Sequence, residues 1–170
     1  MTIHSEDPFA TPDDLRSPVR RLRGRMASTV TLWTAGEGRD RAGLTVSSAV
    51  IADGDPGRVL GLVDDESEFW AAAERTGRFV LTLLGPEDRQ LADRFAGLLP
   101  APGGLFRDEG WTQLDQGPVP AGERTTAGCV VEQATPFGWG LLVEATVAEI
   151  RFGAAAEPLL HYRGRYRELR

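Results

Sequence analysis

Short runs of apolar and β-branched residues, each closed by a turn signal, dominate the chain. Ser28 to Thr34 is rich in β-branched residues and predicts a strand, with Glu37-Gly38-Arg39-Asp40 as the turn after it. Leu44 to Ile51 predicts a second strand, and Gly54-Asp55-Pro56-Gly57 a tight turn. Val59 to Val63 is a continuous apolar run of the kind that forms a buried strand. A helix follows over Glu68 to Arg75, capped by Ser67 and ended by Gly77. Arg78 to Leu84 predicts another strand. Gly85-Pro86-Glu87-Asp88 opens a helix on which Leu91, Phe95 and Leu98 share one face. After the breaker at Pro100 the chain reads as irregular to about Arg124. Thr126 to Gln133 and Leu141 to Phe152 then predict a long hairpin around Thr135-Pro136-Phe137-Gly138, and Pro158 to Tyr162 a last strand.

Turns and short loops join most of these strands, where a doubly wound sheet would have regularly alternating helices. The expected class is therefore mainly β, an antiparallel barrel with two or three flanking helices. At the N-terminus, Thr11-Pro12-Asp13-Asp14 reads as a helix start that Pro18 shortens or kinks. Residues 1–15 read as a flexible segment and 16–170 as one domain, a size that suits a single core.

Composition narrows the function. The net charge of −6 argues against binding nucleic acid over the whole surface, although Arg16, Arg20, Arg21, Arg23 and Arg25 form a local cluster. All 19 basic residues are arginine. No apolar run approaches the ~18 residues of a membrane span, and the acidic start Met1-Thr-Ile-His-Ser-Glu-Asp lacks the pattern of a signal peptide, so a cytoplasmic protein is expected. Cys129 is the single cysteine, and with only His4 and His161 beside it there is no metal-ligand spacing. No Gly-x-Ser-x-Gly elbow marks a hydrolase.

Arg41-Ala42-Gly43-Leu44-Thr45-Val46-Ser47-Ser48 resembles the flavin-binding Gly-Met-Thr-x-Ser-Ser motif of short-chain flavin reductases. The likeness continues in order. Asp55-Pro56-Gly57 stands at the family's Asp-Pro-Pro turn, and Arg78 to Leu84 resembles its Arg-Phe-x-Val-Asn-x-Leu strand. Leu91 to Gly97 resembles its Leu-Ala-x-Arg-Phe-Ala helix, and Pro158 to Tyr166 its closing Pro-Leu-x-Tyr-x-x-Gly-x-Tyr. Together the spaced matches cover roughly residues 20–169.

The resemblance implies a flavin reductase-like, FMN-binding split β-barrel that forms a homodimer. It implies FMN, with FAD as the alternative, and NAD(P)H as co-substrate. The product, reduced flavin, often goes to a partner monooxygenase.

The residues offer the matching chemistry. Thr45, Val46, Ser47 and Ser48 supply hydroxyls and backbone N–H groups for the polar edge of the flavin. Alternation along a strand sends Thr45 and Ser47 to one face and Val46 and Ser48 to the other, so backbone groups must share the task. Ser67 at a helix start and the Arg94 guanidinium are candidates for the phosphate. Phe95 or Trp70 is a candidate wall for the ring. The family's Gly-Asp-His, whose histidine helps form the nicotinamide site, is replaced here by Gly138-Trp139-Gly140. Trp139 is the candidate on the nicotinamide side. A flavin-binding barrel without efficient NAD(P)H turnover is the alternative reading.

Overall fold

The structure is a computed structural model that describes residues 17–107 and 110–170. The expected flexible segment 1–15 and the helix start at Thr11 to Asp14 lie outside these residues. The described chain begins with helix α1 (Pro18–Gly24), capped by Ser17, whose hydroxyl accepts from the Arg20 N–H. Pro18 occupies the first turn, where its missing N–H costs nothing; it starts the helix and does not kink it.

Strands β1 (Ser28–Thr29), β2 (Thr31–Ala35), β3 (Ala42–Val46), β4 (Val50–Ala52) and β5 (Arg58–Val63) follow. Helix α2 (Glu68–Thr76) leads to β6 (Arg78–Leu83), and helix α3 (Arg89–Phe95) comes after it. The remaining strands are β7 (Trp111–Gln113), β8 (Pro118–Pro120), β9 (Thr126–Phe137), β10 (Gly140–Arg151), β11 (Leu160–Tyr162) and β12 (Arg165–Arg167). The expected strand Leu44 to Ile51 is two strands, β3 and β4, parted at residues 47–49. The stretch read as irregular holds the small β7–β8 sheet. Leu98 does not share the face of Leu91 and Phe95. The helix ends at Phe95, and Leu98 is exposed.

The main sheet has the order β3-β2-β6-β9-β10-β5-β4, antiparallel throughout. Its two edge strands, β3 and β4, are consecutive in sequence and joined by Ser47, Ser48 and Ala49 alone. A connector of this length reaches about 14 Å at full extension. Seven flat strands would set the edges roughly 29 Å apart. The sheet must therefore roll up until its edges lie within that reach, and the connector spans the seam of a barrel.

The interior follows from alternation along the strands. Trp33 from β2 and Phe79 from β6 stack with centroids 4.5 Å apart, and Phe69 from α2 meets both edge-on at 6.0 and 5.8 Å. Val59, Val63, Cys129, Val143 and Ala145 complete this core. A second core lies outside the barrel, where α3 places Leu91, Ala92 and Phe95 against Val30, Leu32, Leu84 and Leu159. Asp88 and Arg124 lock the start of α3. The carboxylate, 3% exposed, accepts from the Gly85 N–H and pairs with Arg124 at 2.6 Å.

Gly61 decides how the indole fits. A Cβ there would stand 2.5 Å from Trp33 Cη2 and 2.8 Å from Cζ2. Gly61→Ala forces the indole from its stacked position. The expected loss is about 1–3 kcal/mol of stability, read as a lower urea midpoint with an unchanged m-value.

Candidate functional site

Three elements converge beside the seam. β3 delivers Thr45 and Val46, and the connector carries Ser47 and Ser48. From the seam Ser48 reaches β5, since its hydroxyl donates to the Leu62 carbonyl at 2.9 Å and accepts from the Leu62 N–H at 3.1 Å. Leu62 in turn faces Leu142 of β10, and Val63 faces Leu141, so the tip of the β9–β10 hairpin lies alongside the end of β5. Ser67 follows Val63 by a short turn. Ser47, Ser48, Ser67 and Trp139 are thus brought to one region of the barrel.

The hydroxyls differ in what they have left to give. Thr45 donates to the Ala92 carbonyl at 2.6 Å, which fastens α3 to β3. Ser48 is spent on Leu62. The Ser67 hydroxyl accepts from the Trp70 N–H at 3.1 Å and donates to the Asp64 carbonyl at 2.6 Å, as a helix cap does. Ser47 is exposed, and its side chain has no protein partner among the described residues. Of the four hydroxyls, it is the one left for a ligand. Val46 is buried in the barrel core, and its carbonyl accepts from the Thr31 hydroxyl at 2.7 Å.

The other candidates divide in the same way. Phe95 is buried and contacts Phe106 and Trp111 edge-on at 5.2 and 5.7 Å. An added Cβ on Gly43 would stand 2.7 Å from its ring, so the motif glycine lets α3 lie close against β3. The Phe95 ring is part of the second core, with no open face. Trp70 is buried within the barrel cluster. Arg94 is half-buried on α3, two residues beyond the carbonyl that Thr45 holds. Trp139 is fully exposed at the hairpin tip, and Phe137 beside it is largely exposed.

Electrostatics sorts the two phosphate candidates. Asp64, Asp65, Glu66 and Glu68 surround Ser67 in the chain. A dianion there would face four carboxylates, which outweighs the partial positive charge of one short helix end. Arg94 has one acid, Asp93, within four residues of it in the chain. Cys129 takes no part, since burial pushes its thiol up to about 12 and keeps it protonated. A cleft of about 430 Å³ lies elsewhere, lined by Arg124, Arg151 and Phe152 among others, and holds none of the candidate residues.

The description of a flavin reductase like domain matches residues 23–170. The chain belongs to the flavin reductase-like family. It is 28% identical over 176 residues to an NADH-dependent FMN reductase, AsuE2, of Streptomyces nodosus subsp. asukaensis, covering 98% of this chain and 91% of that protein. It is 24% identical over 155 residues to the reductase component of 4-hydroxyphenylacetate 3-monooxygenase of Thermus thermophilus, covering 91% and 97%. Among solved structures, nitrilotriacetate monooxygenase component B from Mycobacterium thermoresistibile superposes with a TM-score of 0.80 at 26% identity, over 89% of this chain and 85% of that one. The split barrel expected from the motifs is the family fold.

Sequence reasoning missed Leu62, the partner that consumes Ser48, because the two meet only when the barrel closes. It also passed over the acids around Ser67, which were legible as a charge run. Ser67→Ala removes the cap of α2. The expected outcome is about 1 kcal/mol of lost stability in thermal or urea unfolding, with unchanged affinity for FMN.

Proposed function

We propose that this chain is an NAD(P)H-dependent flavin oxidoreductase that reduces FMN, with FAD as a less favoured substrate, at the seam between β3 and β4. The observation that carries this reading is the flavin reductase-like motif lying on the seam with the Ser47 hydroxyl turned outward. The connector fits the polar edge of a flavin, for it pairs an exposed hydroxyl with backbone outside the regular ladder. Thr45, Val46 and Ser48 hold that backbone in place, and the Thr45 bond to Ala92 sets α3 against it. Arg94 serves as the fork for the phosphate, and Ser67 serves the helix. Phe95 supports the seat from beneath.

FMN, when bound, supplies the acceptor for a hydride from the nicotinamide. The protein's part is to hold both rings in contact and to exclude water. Trp139, the middle residue of the Gly138-Trp139-Gly140 that replaces the family's Gly-Asp-His, is the residue on the nicotinamide side of this site and offers an aromatic face. No side chain need act as acid or base. The protein acts as a homodimer in the cytoplasm under this reading, and the reductase component named among its relatives fits a flavin-dependent monooxygenase as consumer of the product. The absence of the Gly-Asp-His triplet supports a second reading, a flavin carrier of the same fold with slow NAD(P)H turnover.

Titration of the purified protein with FMN, followed by steady-state NADH and NADPH oxidation, separates the two. Quenching with FMN-dependent oxidation supports the reductase, and quenching alone supports the carrier. A protein that leaves FMN fluorescence unchanged belongs to neither.

Two substitutions test the seat. Ser47→Trp places an indole where the flavin edge would lie. FMN binding should be abolished while the circular dichroism spectrum and unfolding midpoint stay close to wild type, and unchanged FMN affinity would remove the assignment. Arg94→Ala should weaken FMN binding by about 10–100-fold, the worth of a charge-assisted hydrogen bond. Riboflavin, which has no phosphate, should bind both forms alike. Equal losses for the two ligands would mean that Arg94 supports the fold and not the phosphate.

A further inference from the structure

The N-terminal helix and the C-terminal hairpin form one surface. The Arg163 N–H donates to the Gly24 carbonyl at 2.9 Å, and Ser28 of β1 pairs with His161 of β11. Arg20, Arg21, Arg23 and Arg25 come from the first element, and Arg163, Arg165, Arg167 and Arg170 from the second; all eight are exposed. Set against them are two acids, Glu168, which is paired with Arg89, and Asp93 of α3, which hydrogen-bonds Tyr166 between Arg165 and Arg167. Eight arginines against these two acids give a local charge of +6 in a chain whose net charge is −6. The charge is strongly segregated.

The same surface is also apolar. Val19, Leu22 and Met26 are 75%, 65% and 66% exposed, and Leu169 is 52% exposed. Val19 and Leu22 share one face of α1, and Met26 follows just beyond its C-cap. α1 has seven residues and buries none of them. A helix of this length has little stability of its own in water and usually owes its place to an apolar face packed on something. Here that face is turned away from the protein.

Arg163 adds an independent sign. With φ at 53°, it opens a tight turn with Gly164. Both positions of such a turn favour Gly or Asn, and a long side chain in the left-handed region costs free energy. The fold offers no reason for arginine there. Strain kept without a packing reason points to function.

We propose that this arginine platform is a docking surface for an acidic protein surface that presents apolar side chains. Under the reductase reading, on which this identification of the partner rests, that protein is the oxygenase that consumes the reduced flavin. Arginine with interleaved aliphatic side chains is the composition of a protein interface. Nucleic acid fits less well, because four large aliphatic side chains would meet a phosphate backbone. A lipid surface fits less well, because α1 offers only two apolar residues, too few to insert a helix.

The test uses the full chain and a fluorescein-labelled peptide of alternating Glu-Glu and Leu-Leu pairs, read by anisotropy at two salt concentrations. Wild type should bind, and more weakly at high salt. Arg20→Glu with Arg21→Glu should weaken binding by about tenfold or more and flatten the salt dependence. Arg163→Asn should weaken it too, yet leave Tm equal or higher, which a purely structural role would not do. FMN-dependent NADH oxidation should be the same in all forms.

Equal peptide binding by the charge-reversed protein would overturn the proposal. So would tighter binding of a 20-base-pair DNA duplex, or of phosphatidylglycerol vesicles, than of the peptide. A lower molar mass of the reversed variant in light scattering would make the platform a contact between copies, which also overturns it. Absent NADH oxidation with intact peptide binding would remove the reductase reading and leave the docking surface standing.

Discussion

Closure of the sheet across three residues is the constraint on which the rest of this molecule depends. β3 and β4 lie at opposite ends of the strand order and are bound in sequence by Ser47, Ser48 and Ala49. The barrel exists because these edges cannot part by more than the reach of that connector. Trp33, Phe69 and Phe79 fill the space so enclosed, and Gly61 keeps the opposite wall clear of the indole. Thr45 and Ser48 stitch the seam to α3 on one side and to β5 on the other. The local hydrogen bonds and the long-range topology point to the same geometry.

Much of the fold could be read from the chain. β5, α2, β6 and the long hairpin fall close to where alternation, capping residues and turn residues put them. The break between β3 and β4 could not be read, because Ser-Ser-Ala carries no Gly or Pro and continues a β-rich run. β7 and β8 escaped notice because each has three residues and β8 begins and ends in proline. β12 was hidden by its arginines. In each case the strand is specified by its neighbour across the sheet, and a window along the sequence does not see that neighbour.

The candidate site shows the same limit at the level of side chains. The motif Gly43 to Ser48 was legible, but the task of each residue was not. Gly43 makes room for Phe95. Thr45 and Ser48 serve the barrel. Ser67 serves its helix among four acids. What remains open is the exposed Ser47, to which the proposed flavin seat adds the arginine on α3. In this chain the motif is thus mostly scaffolding, with Gly43, Thr45 and Ser48 given over to packing α3 and closing the barrel.

Because the proposed flavin seat and the closure of the sheet are one and the same connector, binding and folding are thermodynamically linked there under that reading. A ligand that bridges the seam acts as a clasp, and its free energy adds directly to the cost of opening the barrel. The edge strands β3 and β4 would then be the part of the protein whose breathing follows the flavin concentration around it. In a cell, the fraction of these molecules that survives proteolysis would rise and fall with the supply of the substrate itself.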